Sequence, residues 1–202
     1  MKNTMKDKLK TKASLCAALL LLCAGQAAAQ RCLPGMSSVE LRADIADGFY
    51  TGASSRNSGY AFEVFWSRFN GHANTWSFGG SYFQSYRPYG ERGRIPVSQF
   101  AAEGGFNLDI VSDYSQTFHL YGGVYALAGY ETVNRGRQLL PDGSMLHDRN
   151  AFIYGGAVAL QAEFYLSDRF VLTANVKERF VFGNSTGHYH TQYGVGVKFI
   201  ID

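Results

Sequence analysis

The sequence predicts an all-β protein: an eight-stranded antiparallel up-and-down outer-membrane β-barrel. Three observations predict it. Apolar and polar residues alternate with period 2 through eight segments, and successive side chains on a strand point to opposite sides. Beyond the N-terminus no apolar run reaches 18 residues, so membrane residence requires a closed barrel rather than a helix. The connections between segments alternate in length, as expected of a barrel with short periplasmic turns and longer external loops.

The clearest alternation is at the C-terminal end. Phe170, Leu172, Ala174, Val176, Phe180 and Phe182 share one face, opposite Thr173, Asn175, Lys177 and Arg179. After the turn-like stretch Gly183 to Gly187, Tyr189, Thr191, Tyr193, Val195, Val197, Phe199 and Ile201 oppose His190, Gln192, Gly194, Gly196 and Lys198.

Residues 1–29 read as a signal peptide. Lys2, Lys6, Lys8, Lys10 and Lys12 form a basic region before the apolar core Leu15 to Gly25, and Ala27-Ala28-Ala29 offers a cleavage site. Cys23 could take a lipid only at an export junction, where the preceding residue is normally small, and Leu22 stands there. The expected mature chain, 30–202, forms one domain. Its charge differs from that of the whole chain: the formal +3 becomes −1 once those five Lys and Asp7 are removed. Nothing then favours direct nucleic-acid binding, which needs a clustered positive face. Cys32 is the sole cysteine left, so no internal disulfide is expected and the thiol reads as free and inert.

In chain order, the first strand is expected over 38–47, with Val39, Leu41, Ala43 and Ile45 on one face. The second covers 59–69, with Tyr60, Phe62, Val64 and Trp66. The third covers 75–86, with Trp76, Phe78, Tyr82 and Tyr86. The fourth covers 96–110, with Phe100, Ala102, Phe106, Leu108 and Ile110. The fifth covers 117–132, with Leu120, Val124, Ala126, Ala128 and Tyr130. The sixth covers 151–166, with Phe152, Tyr154, Val158, Leu160, Phe164 and Leu166. The segments 170–182 and 189–201 complete the set. Arg87 to Arg94 reads as a charged loop and Val133 to Asn150 as the longest one. All four prolines are expected outside the strands or at their edges, since proline cannot donate to a ladder.

The orientation follows from the polar face. It carries Glu40, Asp44, Glu63, Glu103, Asp109, Glu131 and Glu163 against Arg42, Lys177, Arg179 and Lys198, and is padded with Gly and Ala. A face turned to water would hold many lysines; the mature chain has two. Small residues suit the narrow lumen of an eight-stranded barrel. The expected role of these charges is a structural salt-bridge plug, because buried charges require partners. An ion or proton path is the sharper alternative. Glu178 falls on the apolar face, which implies either a place near the rim or a bulge that shifts the register. Gly79-Gly80, Gly104-Gly105, Gly122-Gly123 and Gly155-Gly156 mark bends or close approach.

Signals for chemistry are sparse. His147, His188 and His190 could meet at one barrel mouth and hold Zn²⁺, but no cysteine or carboxylate spacing supports a metal. Ser144, His147 and Asp148, with Ser185 and His188, could serve a rim hydrolase; no G-x-S-x-G is present. No phosphate-binding loop, dinucleotide fingerprint or cofactor motif occurs, and no cofactor or catalytic residue is expected. A soluble periplasmic barrel carrying a small hydrophobic ligand, lipocalin-like, is the alternative fold-level reading.

Five stretches bear on function. QRCLPGM (Gln30–Met36), LRADIADGF (Leu41–Phe49), LAGYETVNRG (Leu127–Gly136), LLPDGSMLHDRNAFIYGG (Leu139–Gly156) and GNSTGHYHTQYGVGVKFII (Gly183–Ile201) resemble the conjugal transfer protein TraO family of Bacteroides-type conjugative transposons. The resemblance implies a non-enzymatic part in conjugative DNA transfer, within the cell-envelope mating apparatus. It implies outer-membrane lipid and other apparatus proteins as partners, and brings no catalytic residues. The terminal Phe199-Ile200-Ile201-Asp202 departs from the terminal aromatic usual in outer-membrane barrels.

Overall fold

Inward polar and outward apolar side chains alternate through eight strands of the computed structural model, which describes residues 32–47, 59–89, 93–134, 150–183 and 187–201. The strands are β1 Ser37–Ala46, β2 Gly59–Phe69, β3 Thr75–Tyr89, β4 Gly93–Ser112, β5 Phe118–Val133, β6 Ala151–Tyr165, β7 Phe170–Phe182 and β8 Tyr189–Ile201. Each pairs antiparallel with its neighbours, and β8 returns to β1 to close the barrel. Tracing ladder partners from Phe69 through Thr75, Asn107, Gly123, Ala159, Lys177, Gln192 and Ala46 returns to Gly59, ten residues along β2. With eight strands, that stagger tilts them by about 40° and leaves a lumen only side chains can fill.

The exterior is apolar all round. Leu41, Phe62, Phe78, Phe100, Val124, Phe152, Leu172 and Val195 are exposed, one on each strand from β1 to β8, while Glu40, Glu63, Glu131, Lys177 and Arg179 are buried in the lumen. A soluble barrel has the reverse polarity, so the lipocalin-like reading is overturned. The lumen also holds Tyr121 and apolar residues that the sequence reading did not place there: Phe65, Phe83, Tyr125, Ile153 and Val181. Glycine makes room for the middle pair of rings. A Cβ at Gly105 would overlap the Tyr125 ring, and one at Gly79 would overlap Phe65; those rings lie 5.8 Å apart.

The observed strands differ from expectation mainly at the loop end. Most of the expected loop Arg87 to Arg94 is ladder: Arg87, Pro88 and Tyr89 pair with Ile95, Arg94 and Gly93. Pro88 and Pro96 therefore lie within strands, which corrects the expectation for the prolines. Among the described residues, β2 pairs with β3 only up to Gln84, and β5 with β4 only from Val97. Beyond those points β3 and β4 continue as a two-stranded ribbon among the described residues, and proline is tolerated at such an edge of a sheet.

The bulge suggested for Glu178 is also corrected. Both ladders run through Glu178 without a shift; the irregularity lies at Asp109/Val111. Glu178 is half-buried and accepts a 2.5 Å hydrogen bond from the Thr191 hydroxyl beside it. That bond satisfies one oxygen of an outward-facing acid.

The turn end is closed by the lead-in before β1. Gly35 N donates to Phe69 O, and Phe69 N to Met36 O, each at 2.9 Å. This draws Cys32 into an apolar cluster with Phe69, Tyr165, Val171 and Ile200.

Candidate functional site

The charged lumen is built from seven of the eight strands; β3 adds neutral polar side chains such as Ser77 and Ser81. Inward parity places Glu40, Arg42 and Asp44 on β1, Glu63 on β2, Glu103 and Asp109 on β4, Glu131 on β5, Glu163 on β6, Lys177 and Arg179 on β7, and Lys198 on β8. Burial of so many charges is tolerable only if each meets an opposite charge or a hydrogen bond.

Three linked groups provide that. Arg42 grips Glu40 with both arms of the fork, Nε to Oε1 at 2.7 Å and Nη2 to Oε2 at 2.9 Å. Its Nη1 reaches Glu63 at 3.5 Å. Lys177 bridges Glu63 at 2.7 Å and Glu103 at 2.6 Å. Lys198 pairs with Glu163 and stands 3.8 Å from Glu40. Neutral side chains tie these groups together. Gln161 accepts from Arg42 at 2.5 Å and donates to Glu163 at 2.8 Å. Thr173 donates to Glu40 at 2.8 Å, and Ser81 to Glu103 at 2.5 Å. The result is one continuous network from Lys198 to Glu103. Gln161, Thr173 and Ser81 were not singled out among the site residues; their strand parity, shared with the charges, was the available signal.

Rings line the same space. Lys177 Nζ lies 5.3 Å from the ring centres of Phe65 and Tyr125, and Arg42 4.8 Å from Phe65. Arg179 is the least satisfied cation: Glu103 is 3.6 Å away and the Phe83 ring 5.4 Å, with no hydrogen bond to the guanidinium among the described residues. Glu131 accepts from Gln99 at 2.8 Å. Asp44 accepts from Asn175 at 3.2 Å and lies over Gly194, where a Cβ would overlap its carboxylate.

The histidines do not assemble as expected. His188 precedes β8, is exposed, and lies 3.1 Å from Val181 O. His190 turns into the lumen and meets Asp47 at 2.7 Å. One ring points out and the other in, because parity changes between the turn and the strand. His147 lies outside the described residues, as do Ser144, Asp148 and Ser185. No group of three or more His, Cys, Asp or Glu among the described residues could hold a metal.

The turn end brings together a set the sequence reading missed. Cys32 Sγ is 3.0 Å from Tyr165 Oη and 4.0 Å from His119 Nε2, and His119 Nδ1 is 3.2 Å from Asp109. The order thiol–imidazole–carboxylate resembles a nucleophilic triad. Burial, however, pushes the Cys32 thiol above its usual range, whereas a reactive cysteine has a depressed pKa and an approach for substrate. The cluster is a packed seal.

The family model described as "Conjugative transposon protein TraO" matches residues 33–201. The chain belongs to the TraO family. The match covers all eight strands and the lead-in from Leu33 onward. No curated protein sequence matches the chain. Several solved structures share the fold of this family member, among them two at a TM-score of 0.50 or above. One is Ail, the attachment invasion locus protein of Yersinia pestis, in complex with the heparin analogue sucrose octasulfate, at 16% identity and a TM-score of 0.50; the alignment covers 84% of this chain and 100% of Ail. The other is Neisserial surface protein A, at 12% identity and a TM-score of 0.52, covering 81% of this chain and 96% of that one. At such identities the likeness concerns the barrel alone.

Proposed function

We propose that this TraO family member is a non-enzymatic outer-membrane component of a conjugative DNA transfer apparatus, acting as an anchor on which other apparatus proteins dock. The single observation that carries the anchoring role is the inside-out polarity: lipid-compatible side chains around the whole circumference, and an ion-pair network filling the lumen. The charges Glu40, Arg42, Glu63, Glu103, Glu131, Glu163, Lys177, Arg179 and Lys198 serve as a structural plug that stiffens the barrel. A lumen filled by bonded side chains leaves no continuous path for ions or protein. Export through a cleaved signal peptide, residues 1–29, delivers the chain to the membrane. Docking falls to the loop end, chiefly to the connection between β5 and β6, the longest in the chain.

Two measurements test this. Detergent extraction followed by heat-modifiable gel migration is the expected behaviour; release by osmotic shock without detergent would refute the anchor. Deleting 135–149 should abolish mating while leaving heat-modifiable barrel in the membrane fraction. Full transfer by that variant would refute docking through this loop.

A further inference from the structure

Just outside the turn end of β2 and β3 lies a concave groove that the plug and the anchor do not use. It is lined by Pro34, Trp66, Arg68, Asn70, Trp76 and Phe78. We propose that it binds the phosphate head of one phospholipid, with an acyl chain lying against its aromatic wall. The proposal rests on the membrane-spanning reading and adds to it a defined ligand at a defined place.

The polarity of the groove argues for an amphiphile. Outward-facing residues of β2 run Val64, Trp66, Arg68 toward the turn, and those of β3 run Trp76, Phe78 away from it. Trp76 pairs across the ladder with Arg68, and Phe78 with Trp66. The wall is therefore aromatic on the side of the barrel's middle, where Phe78 is 52% exposed, and becomes cationic and then amidic at Arg68 and Asn70. Tryptophan at such a boundary marks the level of the lipid headgroups. The lead-in segment supplies the third wall: its bonds to Phe69 hold Pro34 and Gly35 beside the foot of the groove.

Charge decides the ligand. Arg68 is exposed, and no carboxylate pairs with it and no ring stacks on it among the described residues. The cations on β1, β7 and β8 are turned into the lumen, each beside a carboxylate. A guanidinium at the membrane boundary without a protein counter-ion takes its partner from the bilayer, and a phosphate matches its planar fork of donors. A neutral amphiphile fits the aromatic wall equally well but leaves Arg68 unmatched.

The test uses the refolded mature chain in maltoside micelles, exchanged with dioleoyl phosphatidylglycerol or with dioleoylglycerol, which lacks the phosphate. Native mass spectrometry counts retained lipid. One phosphatidylglycerol per barrel is expected, with little dioleoylglycerol. Arg68→Gln should lower phosphatidylglycerol retention about tenfold, the loss of one charge-assisted contact. Arg68→Lys should retain an intermediate amount, and Arg87→Gln, on β3 near the loop end, should match the parent. Equal retention of the two lipids, or equal phosphatidylglycerol retention by Arg68→Gln and the parent, overturns the proposal. Heat-modifiable migration of each sample is read alongside. Its loss in the parent would instead refute the membrane barrel itself.

Discussion

Replacing Lys177 with methionine removes the centre of the plug and shows how much the network contributes. Lys177 is fully buried, with Nζ 2.7 Å from Glu63 and 2.6 Å from Glu103. Met has a similar length and no charge, so the volume stays filled while two carboxylates lose their closest cation. What remains is Arg42 at 3.5 Å from Glu63 and Arg179 at 3.6 Å from Glu103, both at the long limit of an ion pair. Removing one member of a buried pair costs about 3–5 kcal/mol, because the other charge stays buried. The two ring contacts at 5.3 Å add about 0.5–2 kcal/mol when desolvated. The expected loss is therefore about 3.5–7 kcal/mol. Urea titration of the barrel in lipid vesicles, followed by tryptophan fluorescence of Trp66 and Trp76 and by heat-modifiable migration, measures it. Adding Glu103→Gln to Lys177→Met should recover a large part of the loss, since the uncompensated carboxylate is gone and Ser81 can still hydrogen-bond the amide. If Lys177→Met costs under about 1 kcal/mol, or if Glu103→Gln worsens it, the lumen charges do not act as a coupled plug.

Three further outcomes follow from local geometry. Gly105→Ala should destabilise the barrel by about 1–3 kcal/mol through overlap with the Tyr125 ring, and Tyr125→Leu in the same chain should relieve part of that cost in the same urea titration. Asp113 accepts backbone N–H bonds from Phe118 and Thr117, which hold its carboxyl below the usual range. With the folded value depressed, the contribution is present above the unfolded pKa and lost as pH falls through the folded one, so the Thr117 and Phe118 amides should stay protected from exchange at pH 5 and lose protection at strongly acid pH. The buried Cys32 thiol is pushed up by desolvation, so thiolate is scarce at pH 8; maleimide should leave the folded barrel unmodified and label it stoichiometrically in urea, and rapid labelling of the folded barrel would show the turn end to be open.

Much of this architecture was legible in the linear pattern. In β7 and β8 the period-2 alternation is strong enough that each side chain's face follows from parity, and a closed barrel with inward charge is the solution consistent with the scarcity of lysine. Strand ends were less legible where chemistry and pairing disagree. Arg87 to Arg94 contains Pro, Gly and three arginines, all signs of a loop, yet β3 and β4 continue into it because a hairpin can extend past its neighbours. Glu178 invited a bulge, but Thr191, opposite it on β8, supplies a hydrogen bond that no reading of β7 alone contains. His188 and His190 stand two residues apart, a spacing that puts both on one face only if both belong to one strand, and β8 begins at Tyr189.

By itself, then, the sequence determined which side of each strand is greasy and which is charged, since that depends on alternation within a few residues. It also carried the likeness to TraO in its loop and C-terminal stretches. Only the tertiary structure decided which acid meets which base. Those pairings join β1 to β2, β8 to β1 and β6, and β7 to β2 and β4, and they are set by the ten-residue stagger of the closed sheet, a property of the whole ring that no single segment encodes. The seal at Cys32 and the groove at Arg68 belong to the same class, because both form where the lead-in is folded back against the end of a strand distant from Cys32 in sequence.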